Sequence, residues 1–195
     1  MRTKNEARAP GKVLVPLAGG FEEIEAVTII DVLRRAGLTV EVAGLASGPV
    51  TGAHGITLRP DCTLDQVDAS ALAMIVLPGG QPGTDNLKSD GRVLSLVREL
   101  EASGRGVAAI CAAPLVLAAA GVLAGREATS YPGVRKELRG ARVLDVPRVV
   151  RSDNVWTSQG PGTALEFSLA LVSELCGEAK ALELAGALLV AQPAR

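Results

Sequence analysis

The sequence predicts an α/β fold, a mainly parallel sheet with helices on both faces. Three observations carry that expectation. Short apolar runs alternate with helix-length amphipathic segments along the chain, the pattern of repeated βα units. The apolar stock is aliphatic, with 48% of residues hydrophobic but only 2% aromatic, which suits strands buried on both faces. The apolar runs stop abruptly at glycine or proline, where strands leave a sheet. A chain of 195 residues is long enough for one such domain with a full core. That domain is expected over residues 12–195, with residues 1–11 a polar, disordered tail.

The elements follow in order. Val13 to Leu17 reads as a buried first strand ending at Gly19-Gly20, although Pro16 lacks the N–H of a fully bonded ladder. Glu22 to Ala36 reads as a helix with Gly37 as its C-terminal cap. Thr39 to Gly44 alternates apolar and polar and reads as a second strand. Val50 to Leu58, with Gly52 and Gly55, reads as a small hairpin or excursion. Ala71 to Leu77 is a third main strand, stopped by Pro78-Gly79-Gly80. Arg92 to Ala102 is helical with Asp90 as its N-cap. Gly106 to Ile110 is a short strand of small residues, and Ala112 to Ala120 a helix that tolerates Pro114 in its first turn. Arg142 to Arg151 suggests a strand pair broken at Pro147. Val155 to Ser158 is a strand, and Gly160-Pro161-Gly162-Thr163 leads into a helix over 164–175. A final helix lies within Glu178 to Ala191.

Charge and composition exclude several classes. Lys and Arg number 20 against 21 Asp and Glu, for a net charge of −1. Such a balance gives no broad basic face for nucleic acid, and the few aromatics leave little for base stacking. No apolar run approaches the roughly 20 residues that span a bilayer. Three widely spaced cysteines without an apolar leader fit reduced thiols and a cytoplasmic location. One histidine and three scattered cysteines have no metal-ligand spacing, so no metal is expected.

In a sheet of this kind ligands sit beyond the carboxyl ends of the strands. Ala108-Ala109-Ile110-Cys111-Ala112-Ala113-Pro114 places Cys111 where a strand turns directly into a helix, with small neighbours that permit a strained corner. There the following helix start favours a thiolate. The residues alone equally allow a small buried hydrophobe. Glu25 shares a helix face with Ile29 and Val32, where burial would raise its pKa. The residues alone equally allow an ordinary first-turn glutamate, which is how Glu22 and Glu23 read. His54 reads as an exposed loop residue. Gly160 to Thr163 could bind an anion at a helix start, but it lacks a P-loop lysine. Cys62 and Cys176 read as packing or incidental residues.

Together these stretches resemble a known family. Ala18-Gly-Gly-Phe-Glu-Glu-Ile-Glu25, Asp31-Val-Leu-Arg-Arg-Ala-Gly37, Leu77-Pro-Gly-Gly80, Ala109-Ile-Cys-Ala112 and Thr157-Ser-Gln-Gly-Pro-Gly-Thr163 resemble, in order, the ThiJ/PfpI superfamily, closest to its protein-deglycase branch, the one associated with Parkinson's disease. The resemblance implies a flavodoxin-like three-layer sandwich, and a homodimer packed partly through the first helix. It implies that Cys111 is the reactive cysteine, Glu25 its carboxylate partner, and the amides of Gly79, Gly80 and Ala112 an oxyanion site. Tyr131, Pro132, Gln159, Gly160 and Pro161 would line the pocket, with Arg34 and Arg35 near the subunit interface. The implied activity is cofactor-free conversion of methylglyoxal to a hydroxy acid or removal of early glycation adducts from protein or nucleotide. Chaperone action and oxidative-stress sensing are also implied.

Two departures bear on this. Tyr131 stands before Pro132 where many relatives have histidine, which argues against a peptidase because no strong base then lies beside the thiol. Gln159 stands where the branch has arginine, which removes a positive charge from the pocket. The main expectation is a glyoxalase- or deglycase-type enzyme using a cysteine nucleophile. The alternative is a redox-sensing chaperone whose cysteine oxidises to sulfinate with little catalysis.

Overall fold

A computed structural model of the chain describes residues 11–190. The first ten residues of the expected tail lie outside the described residues. The strands are β1 Lys12–Leu17, β2 Val40–Gly44, β3 Val50–Thr51, β4 Thr57–Leu58, β5 Cys62–Thr63, β6 Leu72–Leu77, β7 Gly106–Ile110, β8 Glu127–Ala128, β9 Arg142–Val143, β10 Val149–Ser152 and β11 Val155–Ser158. The helices are α1 Glu23–Arg35, α2 Gly83–Ser89, α3 Gly91–Ala102, α4 Pro114–Ala120, α5 Ala164–Cys176 and α6 Glu178–Ala187.

The main sheet has the order β10-β11-β7-β6-β1-β2-β5. Every neighbouring pair is parallel except β10–β11. Alternation along the strands feeds two cores, the middle layer of a flavodoxin-like sandwich. Val13, Val15, Leu17, Met74, Val76 and Ile110 face one side, where Ile29, Val32, Phe167 and Leu171 of α1 and α5 cover them. Leu14, Ile75, Leu77, Val107 and Ala109 face the other, under Val93 and Val97 of α3 and Val116 and Leu117 of α4.

Pro16 sits in a central strand without breaking it. Val13 donates to Thr39 on the β2 side, and strand period two then turns position 16 toward β6. The pairing with β2 runs on to Leu17–Gly44, while the pairing with β6 ends at Leu14–Ile75. The missing donor therefore falls where that ladder has already stopped.

Some expectations need correction. Arg142–Val143 and Val149–Ser152 do not pair with each other. The first joins Glu127–Ala128 in a separate two-stranded sheet, and the second joins β11 at the edge of the main sheet. A proline between them cannot donate, and the two segments find other partners. Helix α2 escaped sequence reading because its Gly-Thr-Asp-Asn start resembles a turn. Helix α4 begins at Pro114, since residues 111–113 form the turn that aims Cys111. Asp90 caps α3 as expected, accepting from the Arg92 amide.

The strand order reverses between β1 and β6, because β2 lies on one side of β1 and β6 on the other. This is the switch point at which such sheets open a crevice. Backbone bonds stitch the two loops there: Glu22 N–H donates to Gly79 O at 2.9 Å, and Gly83 N–H to Gly20 O at 3.1 Å. No helix among the described residues is long and apolar enough to cross a membrane.

Candidate active site

Cys111 has φ +64°, one of three non-glycine residues with positive φ among the described residues. A left-handed backbone costs a side-chain-bearing residue about 1–2 kcal/mol, so its surroundings must hold it. They do so from both sides. Cys111 N–H donates to Ser158 O at 3.0 Å, and its carbonyl accepts from Tyr131 N–H at 2.8 Å. Ala112 and Ala113 let the chain turn sharply, and Pro114 then opens α4. The corner expected from the run of small residues is present, and it leaves Cys111 9% exposed.

Glu25 is wholly buried. Its Oε2 accepts from Gly79 N–H at 2.8 Å, while Oε1 has no hydrogen-bond partner among the described residues. A Cβ at Gly79 would lie 2.7 Å from Cys111 Cβ and 2.9 Å from Glu25 Oε2. Only a glycine fits there, and the thiol-bearing and carboxyl-bearing side chains converge on it. The amide of Gly79 is thus committed to Glu25. Of the three amides expected to form an oxyanion site, those of Gly80 and Ala112 act to lower the Cys111 thiol.

The electrostatics of the pair are coupled. Burial is the main cause that pushes Glu25 up from 4.5 to about 7; the Gly79 amide and Cys111 oppose it, and the nearby Glu22 charge adds to it. Burial also pushes the Cys111 thiol up from 9.0 to about 12, followed by the charge of Glu25 and its hydrogen bond, against the amides of Ala112 and Gly80. That value for Cys111 holds while Glu25 is ionised. With Glu25 protonated, repulsion vanishes and the carboxyl group becomes a donor to the sulfur, which favours the thiolate. A buried carboxylate with one unpartnered oxygen is the costlier charge, so the firmer direction is the rise of Glu25.

Glu22 and Glu23 stand at the start of α1, where the sequence put ordinary first-turn glutamates, and both are buried, 7% and 4% exposed. Glu22 is the N-cap of α1, and its Oε2 accepts from Glu25 N–H at 2.7 Å. Glu23 holds the β3–β4 hairpin. It accepts from His54 N–H at 2.6 Å and Ile56 N–H at 3.3 Å on Oε1, and meets His54 Nδ1 at 2.9 Å on Oε2. Gly52 leaves room for that carboxylate, because a Cβ there would collide with it. His54 is exposed, as expected, and its partner is Glu23.

The remaining expected pocket residues divide into two groups. The Tyr131 ring, half exposed, lies against Gly133 and Gly160, its backbone N–H donates to the Cys111 carbonyl, and Pro132 opens the 3-10 turn that follows. Gln159 Nε2 donates to the carbonyls of Asp145 at 3.1 Å and Pro147 at 2.9 Å, so it ties down a loop. The Gly160 amide is occupied by Thr163 Oγ1 at 3.1 Å, and Pro161 begins a single closed turn. Arg34 and Arg35 lie at the far end of α1. Arg34 pairs with Asp61 at 2.8 Å and Arg35 with Asp31 at 2.6 Å, so within one chain neither reaches Cys111. Cys62 donates to Glu41 at 3.3 Å and is pushed up to about 11 by burial and by that carboxylate.

Comparison with known proteins agrees with the fold. Protein dj-1beta of Drosophila melanogaster is 44% identical over 180 residues, 91% of this chain and 96% of that protein. Its crystal structure matches with a TM-score of 0.90, over 93% of this chain and 99% of that one. The Parkinson disease protein 7 homolog of Danio rerio is 38% identical, covering 85% of this chain and 90% of that protein. A deglycase of Pyrococcus horikoshii is 35% identical over 75% of this chain and 88% of that protein. With residues 11–174 matching the DJ-1/PfpI family, the chain belongs to that family.

Proposed function

We propose that the chain is a cysteine-dependent glyoxalase or deglycase, acting without a cofactor on methylglyoxal or early glycation adducts of protein or nucleotide. One observation carries the reading: a fully buried carboxyl group, Glu25, set beside a strained cysteine at the switch point. The name of the Pyrococcus horikoshii relative supports it. The Cys111 thiolate adds to the aldehyde carbon of methylglyoxal, and the amides of Gly80 and Ala112 stabilise the oxyanion. Glu25 gives its proton to that oxygen, forming a hemithioacetal. The Glu25 carboxylate then removes the proton from the same carbon and returns it to the neighbouring one, while the hydroxyl proton passes from the first oxygen to the second. The lactoyl thioester that results is hydrolysed by water to lactate and the free thiol.

The test is a lactate assay of purified protein with methylglyoxal. Cys111→Ala should abolish turnover, and equal rates for the two proteins would end the proposal. His54 tied to Glu23 and Tyr131 in place of histidine leave no imidazole for a peptidase. A second reading, a redox sensor with chaperone action, draws on the structure of oxidised DJ-1 from Toxoplasma gondii, 37% identical to this chain. Mild peroxide should add two oxygens to Cys111 ahead of Cys62 and Cys176, read by peptide mass spectrometry. Oxygen on the other two cysteines alone would exclude it.

A further inference from the structure

Three glutamates within one helical turn, Glu22, Glu23 and Glu25, are all buried. Each buried carboxylate needs a partner to offset its lost hydration. Glu23 spends its oxygens on the hairpin, and Glu25 faces Gly79 and Cys111. Glu22 performs a capping task that Ser, Thr, Asp or Asn performs in most helices. A neutral acceptor would satisfy the Glu25 amide equally well.

What distinguishes Glu22 is its place around the Gly79 peptide. Its backbone N–H donates to Gly79 O at 2.9 Å, while Gly79 N–H donates to Glu25 at 2.8 Å. Glu22 and Glu25 thereby grip both sides of the segment whose next amide, Gly80, acts to lower the Cys111 thiol. The Glu22 side chain closes the loop by accepting from Glu25 N–H at 2.7 Å. Its carboxylate, bonded to the Glu25 amide, works to raise Glu25, and it raises His54 as well. The other titratable groups nearby are Glu23 and His54, which are bonded to each other.

We propose that Glu22 is a positioning residue for the Cys111–Glu25 pair: its carboxylate fixes the Glu25 backbone, and its negative charge holds the shared proton on Glu25 and off Cys111. The proposal rests on the reading of Cys111 and Glu25 as the working pair.

Alkylation of Cys111 by iodoacetamide, quantified by peptide mass spectrometry across about pH 4 to 9, tests it without requiring turnover. Glu22→Gln keeps an acceptor for the Glu25 amide but removes the charge. It should slow alkylation at neutral pH by about threefold to tenfold and move the midpoint to higher pH. A profile identical to wild type for Glu22→Gln, with a loss only in Glu22→Ala, would reduce Glu22 to a cap and overturn the proposal. Should Glu22→Gln fail to fold, Glu22→Asp, which keeps the charge on a shorter side chain, decides. It should keep the wild-type midpoint, and a shift as large as that of Glu22→Ala overturns the idea. If Cys111 is not the thiol alkylated in wild type, the underlying reading fails. If it is alkylated and Glu22→Gln matches wild type, only this inference fails.

Discussion

Glu25 trades stability for reactivity. It is wholly buried and one of its oxygens has no partner among the described residues, so ionising it is costly. Glu25→Gln keeps an acceptor for Gly79 N–H and removes that charge. The variant should be more stable at about pH 8 by about 1–2 kcal/mol, a Tm rise of roughly 2–6 °C, while methylglyoxal turnover falls at least tenfold because no carboxyl group remains to move the proton. A lower Tm would show that the carboxylate contributes more than it costs. The pH dependence isolates the same group. In Cys111→Ser no thiol shares the proton, and burial, the main cause that pushes Glu25 from 4.5 up to about 7 in the native site, should keep it raised. The folded state then holds a proton that the unfolded chain has released, so stability falls as pH rises. On the order of 3 kcal/mol is present in full below about pH 4.5 and lost by about pH 7. Denaturant melts of Cys111→Ser at several pH values read this directly, and flat stability across that window would contradict it.

At the scale of elements, two segments depend on close packing that no local pattern announces. The first is the loop after β6. A Cβ on Gly79 would press on Cys111 Cβ, Glu25 Oε2 and Ile110 O at once, at 2.7 to 3.0 Å. Gly79→Ala should therefore lower stability by about 1–3 kcal/mol through overpacking and block Cys111 alkylation, as thermal melts and mass spectrometry will show. The second is the β3–β4 hairpin, pinned by Glu23. Burial works to raise Glu23, but the His54 side chain and the His54 and Ile56 amides bring it below 4.5. His54 is raised in return, first by its hydrogen bond to Glu23. The ion pair is therefore complete below the ordinary histidine range and fades as pH climbs through the raised value. Amide exchange at His54 and Ile56 should lose protection in Glu23→Ala. Cys111 was legible in the sequence because small residues at a strand-to-helix corner leave a local mark. Glu25 was half legible from its spacing to Ile29 and Val32. Glu22 and Glu23 were not, because their burial comes from partners far along the chain, with His54 31 positions away from Glu23.

At the scale of the whole molecule, strand alternation and glycine stops were enough to specify the parallel core, because each strand's own apolar run dictates its burial. The edges were harder to read. Residues 142–152 split between two sheets because edge strands are settled by available partners, and α2 was hidden by a start that looks like a turn. The same layering leaves one face unfinished. Ile24 and Val27 on α1 remain 59% and 44% exposed, and Ile56 of the hairpin 55%. Glu23 ties that hairpin to the start of α1, so these apolar residues belong to two elements the fold locks together. A second copy of this chain covering that face would bury them and would bring Arg34 and Arg35, distant from Cys111 within one chain, to the subunit boundary. Sedimentation equilibrium should therefore give a homodimer, and Val27→Arg should weaken it by placing like charges across a two-fold contact. The Cys111–Glu25 pair is complete within one chain, so the monomeric variant should keep its alkylation profile. A wild-type protein that sediments as a monomer would remove the dimer, and a Val27→Arg monomer with an altered Cys111 profile would mean that the second copy helps to build the site.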